Sequence, residues 1–181
     1  MRLFVGLPLP ESVREAVAGA ARPWRDRAPH LKWVHPDLYH FTLQFLGDAD
    51  SAVLREMKAA LARVAARDFE LQPGAPLAMP PGRRARVLAL GLAAGGDELA
   101  ALAAAVGEAA ASAGFSREER PFRAHLTLAR ARRGDLLGLR LEDLGRPEVP
   151  AFRAGAFHLY ESRLRPQGPE YISLADFPLQ P

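Results

Sequence analysis

Residues 40–45 read HFTLQF, and residues 125–130 read HLTLAR. Thr42 and Thr127 are the only threonines in the chain, and each stands two places after a histidine and directly before a leucine. With 5 His in 181 residues, composition alone would place both threonines there on the order of one time in a thousand. The surroundings repeat as well. RLFVGL begins at Arg2 and RVLALGL at Arg86, 84 positions later, while His40 and His125 are 85 apart. Two strand-helix-strand units in near register indicate an internal duplication.

Hydrophobic period places the remaining elements. RLFVGL (2–7) reads as a buried strand, and Glu11 to about Ala21 as a helix on Val13, Ala16, Val17 and Ala20, stopped by Pro23. LYHFTLQF alternates as a strand, with His40, Thr42 and Gln44 on one face and Phe41, Leu43 and Phe45 on the other. A helix from about Ser51 to Ala66 follows, carried by Leu54, Met57, Leu61 and Val64. FELQ (69–72) is a candidate strand, and PGAPLAMPPGRR after it reads as the mid-chain crossover. RVLALGL, a helix over Asp97–Ala113 ended by Gly114, and RAHLTLAR repeat the order. AFRAGAFHLYES and EYISLADF add strands on either side of the turn-rich RLRPQGP.

Composition narrows the chemistry. The chain is 49% hydrophobic, ample for a core at this length. Its net charge of +3 is carried almost wholly by arginine, with Lys32 and Lys58 the only lysines, so polyanion binding is permitted but not demanded. The absence of cysteine removes disulfides, thiolate metal sites and cysteine nucleophiles, and fits a reducing cytoplasm. The N-terminal apolar stretch is too short and proline-broken for a signal peptide, and no window of 18 uncharged apolar residues exists. The expectation is a cytoplasmic monomer of one domain spanning 1–181, with no membrane association, no obligate protein partner and no cofactor.

On a strand, residues i and i+2 point the same way about 6.5–7 Å apart. Each repeat therefore offers one imidazole and one hydroxyl to the same small volume. If the halves pack about a pseudo-twofold axis, two groups titrating near neutrality and two hydroxyl donors share one cleft. That set suits phosphoryl transfer: one histidine deprotonates the attacking oxygen, the other protonates the leaving oxygen, and the hydroxyls bond the nonbridging oxygens. No metal is logically required. His-x-His and HExxH are absent, as are the glycine-rich phosphate loops, and neither lysine has the Lys-x-Asp-Gly context of a nucleotidyl-transfer ligase. Either histidine can be the acid on this reasoning.

The paired HFTL and HLTL, with RLFVGLPLPE, LKWVHPDLYHFTLQFLGD and LYESRLRPQGPEY, resemble the 2H phosphoesterase superfamily over nearly the whole chain. Within it the chain is most similar to the RNA 2',3'-cyclic phosphodiesterase branch, historically called 2'-5' RNA ligase. The resemblance implies an α+β, bilobal, pseudo-twofold duplicated fold in which two antiparallel sheets line a central cleft and helices pack outside. It implies hydrolysis of RNA 2',3'-cyclic phosphate ends to 2'-phosphomonoesters, with 2'-5' ligation as a reverse-type activity and tRNA fragments among the candidate RNAs. It also implies His40 as proton donor, His125 as proton acceptor, and Thr42 and Thr127 on the phosphate. Two alternatives stand beside it: the same chemistry on a small cyclic-phosphate nucleotide, and a noncatalytic module binding RNA or nucleotide.

Arg130, Phe45 and Tyr160 are candidate substrate-binding residues. Strict alternation sets Arg130 opposite His125, so it reaches the cleft only through a twist or bulge. Phe45, Trp33 and Tyr160 can stack on a base, with core packing the plainer role for Phe45 among 9 Phe. Arg123, Arg132 and Arg133 add charge beside the second motif, His30 and His35 sit in a loop, and His158 shares a strand face with Tyr160.

Overall fold

The computed structural model describes residues 1–82, 84–118, 120–131 and 139–181. In chain order the strands are β1 (Arg2–Pro8), β2 (Lys32–Trp33), β3 (His40–Asp48), β4 (Phe69–Met79), β5 (Val87–Ala94), β6 (Leu126–Arg130), β7 (Phe152–Ala154), β8 (Ala156–Arg165) and β9 (Gly168–Pro178). The helices are α1 (Glu11–Arg27), α2 (Ser51–Leu61) and α3 (Gly96–Ser112). All strand pairings named here are antiparallel. The order across the sheet is β7-β4-β5-β6-β3-β1-β8-β9, with β2 added along β6.

This order expresses the duplication. β1 and β3 of the first unit correspond to β5 and β6 of the second, and each pair lies on its own side of the β3–β6 seam. The units also exchange a strand: β4, which follows α2, pairs with β5, and β8, from the second half, pairs with β1. The two sheets expected from the resemblance meet where β3 and β6 touch, at the single pair Phe41 and Leu126. Both residues are fully buried. Beyond that pair the two strands diverge and leave the histidines on the concave face.

Several boundaries differ from the sequence reading. Helix α1 does not stop at Pro23 but continues one turn to Arg27. Pro23 has no N–H for the carbonyl of Gly19, four residues back, and Gly19 has open space around it. Trp24 anchors the extra turn, buried and donating its indole N–H to the Leu144 carbonyl at 3.1 Å. Helix α2 ends at Leu61, short of Ala66, because Arg63 and Val64 bond back three residues rather than four. Its start is capped by Asp50, whose carboxylate accepts from the Ala52 and Val53 N–H groups at 2.8 and 2.9 Å.

The largest difference is PGAPLAM, which is strand rather than crossover. β7 covers only Phe69–Leu71, so Pro73 and Pro76 face an unpaired edge where a missing N–H costs no ladder bond. The register slips twice there, between Gln72 and Pro73 and between Pro73 and Pro76. At the slip a Cβ on Gly74 would lie 2.7 Å from the β5 backbone, which glycine avoids. No helix among the described residues is long and apolar enough to cross a membrane.

Because Phe41 joins the two halves, Phe41→Ala should destabilise the fold by about 3–5 kcal/mol, as large-to-small core substitutions of phenylalanine do. Chemical denaturation of the purified variant measures this, and a loss under about 1 kcal/mol would mean that the halves hold together without the seam.

Candidate active site

The leucine of each His-x-Thr-Leu frame is the residue that shapes the site. Along β1, Val5 faces Gln44 and Gly6 faces Thr42, so Leu43 is an extra residue in β3. Along β5, Leu88 faces Ala129 and Ala89 faces Thr127, so Leu128 is the extra residue in β6. Both are β-bulges, and both leucines are buried. A bulge puts two successive side chains on one face and reverses the alternation after it. His40 and Thr42 therefore share the concave face with Phe45, not with Gln44, and Arg130 joins His125 and Thr127.

The side-chain contacts agree. Phe45 is 63% exposed, not core, with its ring 6.4 Å from Phe4, whose ring is 5.0 Å from His40. Gln44 instead faces Gly107 of α3. Arg130 lines one groove with His40 and Thr127. Phe45 and Arg130 each stand five places after a motif histidine, so an aromatic and a cation occupy equivalent positions of the two halves.

The histidines are held alike. His40 Nδ1 lies 2.7 Å from the Leu38 carbonyl oxygen, and His125 Nδ1 lies 2.8 Å from that of Arg123. A carbonyl only accepts, so each Nδ1 carries a proton and each neutral ring keeps its lone pair on Nε2. His40 Nε2 is 3.0 Å from Thr42 Oγ1 and can accept its hydroxyl proton. Burial, with His125 and Arg130 adding positive charge, outweighs the Leu38 bond and pushes His40 down to about 4. Burial also lowers His125, followed by the charges of Arg130 and Arg123. Neither histidine has a carboxylate among the charges that act on it. The pair is two neutral bases in a positive, partly desolvated cleft.

Phe4 and Tyr171 were not singled out by the sequence reading, yet they wall His40 on one side. Tyr171 meets the His40 ring edge-on at 5.3 Å, and Phe4 lies against Tyr160 at 5.1 Å and Tyr171 at 4.9 Å. Alternation about Gly6 could have found Phe4; Tyr171 reaches back from β9 and leaves no local signal. Tyr160 is 6.5 Å from His40 and stacks on His158 at 5.5 Å, and burial pushes its phenol up to about 12. His158 bonds Asp176 at 3.0 Å instead of a threonine. His35 caps the short 3-10 turn Pro36–Leu38, and His30 is exposed. Tyr39 and Phe41 pack into the core. Arg123 is exposed and its charge acts on His125, whereas Arg132 and Arg133 lie outside the described residues.

A sheet that brings two equivalent His–Thr strands to one concave face has the architecture of a two-histidine phosphoesterase. The profile of the family described as LigT like Phosphoesterase matches residues 7–88 and again 90–171. The chain belongs to this family. It is 33% identical to the RNA 2',3'-cyclic phosphodiesterase of Bacillus subtilis, over 97% of this chain and 95% of that one. It is also 33% identical to the protein of that name from Archaeoglobus fulgidus, over 98% and 99%. Among solved structures, apo E. coli LigT superposes with a TM-score of 0.82 at 25% identity, covering 99% of this chain and 98% of LigT. E. coli LigT complexed with 3'-AMP gives 0.82 at 26%, covering 98% and 97%.

A buried histidine that resists protonation makes folding pH-dependent. The unfolded imidazole takes up its proton near pH 6.5, whereas folded His40 does so only near 4. Its contribution is therefore complete above pH 6.5 and is lost as pH falls toward 4. Denaturation of wild type and His40→Gln across this window should show a smaller acid loss in the variant. Parallel curves would contradict the burial of His40.

Proposed function

We propose that this protein is an RNA 2',3'-cyclic phosphodiesterase that hydrolyses the cyclic end to a 2'-phosphomonoester. The observation that carries the reading is the matched pair of Nδ1–H bonds to backbone carbonyls, which leave the lone pair of both imidazoles on Nε2. The relatives' shared name supports the choice of substrate.

The cyclic phosphate sits between the two halves with its nonbridging oxygens on the hydroxyls of Thr42 and Thr127 and on the Arg130 guanidinium. His125 Nε2 accepts a proton from water as the water oxygen attacks phosphorus. The bond from phosphorus to O3' breaks, and the proton on His40 Nε2 passes to O3'. Solvent then takes the proton from His125, leaving both imidazoles neutral, and His40 takes up a proton again as the next substrate binds. The burial that holds His40 low is opposed by the phosphate's negative charge once substrate is bound, so binding charges the acid where it is needed. Phe45 offers an exposed ring to the terminal base, and Tyr160 supports the wall behind His40. A cytoplasmic, monomeric enzyme acting on RNA fragments, with 2'-5' joining when a 5' hydroxyl replaces water, belongs to the same reading.

An oligoribonucleotide ending in a 2',3'-cyclic phosphate, with EDTA present, tests it. Wild type should release the 2'-phosphate isomer, and His40→Ala and His125→Ala should each lose about 10²- to 10⁴-fold in rate while staying folded. Undiminished turnover by either variant would sink the mechanism. Binding without turnover by wild type would instead favour the noncatalytic module.

A further inference from the structure

The two sides of the histidine pair are not alike. A groove of about 750 Å³ starts at His40, Thr127 and Arg130 and runs outward between β2 and the β8–β9 hairpin. Its volume lies within the roughly 300–1,000 Å³ of pockets that enclose whole small molecules, so a phosphate group fills little of it. Lys32 in β2 is the in-register partner of Arg130, and among the described residues neither cation has an ion-pair partner. Arg165 across the groove is neutralised by Glu170 at 3.1 Å, and Asp37 on the rim faces His35 at 3.4 Å.

The groove walls also hold two apolar surfaces. The Trp33 indole N–H donates to the Ala28 carbonyl at 2.9 Å, and the Arg25 guanidinium lies 5.6 Å from its ring centre, so its orientation is set without the groove. Leu164 on the hairpin lines the groove and is 76% exposed, so its side chain is free to meet a ligand there. Two adjacent cations, unpaired among the described residues, in a groove beside a fixed aromatic ring offer what a single nucleic-acid strand requires: charge for the backbone and a face for the bases.

We propose that this groove holds the nucleotides on the 5' side of the cyclic phosphate, with Lys32 on their backbone and Trp33 and Leu164 flanking a base. This rests on the function proposed above. There His40 protonates O3', so the ribose carrying that oxygen, and the chain attached to it, lie on the His40 side. The groove includes His40 and not His125. Water, or a joining 5' hydroxyl, therefore comes from the opposite side. The site is built for a chain end, and a cyclic mononucleotide uses only its inner part.

The test compares a 2',3'-cyclic mononucleotide with a four-nucleotide RNA bearing the same end, using wild type, Lys32→Ala and Leu164→Ser. Both replaced side chains are exposed, so the variants should fold. Wild type should show a lower KM for the tetranucleotide. Each variant should raise that KM several-fold to tenfold without changing kcat, leave both constants for the mononucleotide unchanged, and for Lys32→Ala reduce the salt slope of binding by about 0.7. Equal effects on both substrates, or no effect on either, overturn the groove assignment. Failure of wild type to turn over either substrate overturns the functional reading on which it rests.

Discussion

One extra residue directly after each His–Thr pair organises the site. Without the bulges at Leu43 and Leu128, regular alternation would send Phe45 and Arg130 into the helix-facing side of the sheet. With them, each buried leucine fastens its strand to the core and turns the residue two places on toward the cleft. Burial of the leucines thus stabilises the geometry that the chemistry uses. The repeated leucine is as much part of the motif as the histidine and threonine, for a reason of packing rather than reactivity.

The electrostatics follow from the same placement. A histidine on the floor of a curled sheet loses water, and positive neighbours add to the cost of charging it. No carboxylate offsets that cost at either motif histidine, in contrast to His158, which Asp176 accompanies. The imidazoles are consequently neutral in positive surroundings, where an anion's arrival favours protonation. Backbone carbonyls of Leu38 and Arg123 orient the rings without adding a net charge, so the phosphate meets no competing anion. The pseudo-twofold symmetry stops at Phe45 and Arg130, where an aromatic ring stands on one side and a cation on the other.

Much of this was legible in the residues themselves. The two threonines, each two places after a histidine, marked the paired strands of the candidate site, and the offset of 84 to 85 positions exposed the duplication. Period read the order of elements because amphipathic burial decides it. The misreadings share a cause, since each depended on tertiary partners that local pattern does not carry. Pro23 remains helical because Trp24 has a buried seat beyond it, and Pro73 and Pro76 remain in a strand because β7 is too short to reach them. The bulges are likewise invisible to alternation, which is why Phe45 reads as core and Arg130 as facing away. Tyr171 reaches His40 only through the long β8–β9 hairpin.

The most direct measurement is a crystal structure with the product analogue, a nucleoside 2'-monophosphate, bound. The account predicts the phosphate within hydrogen-bond distance of both threonine hydroxyls and of Nε2 on both His40 and His125, with the ribose on the His40 side. A phosphate bound by only one of the two motifs, or seated on the arginines away from both, would contradict it.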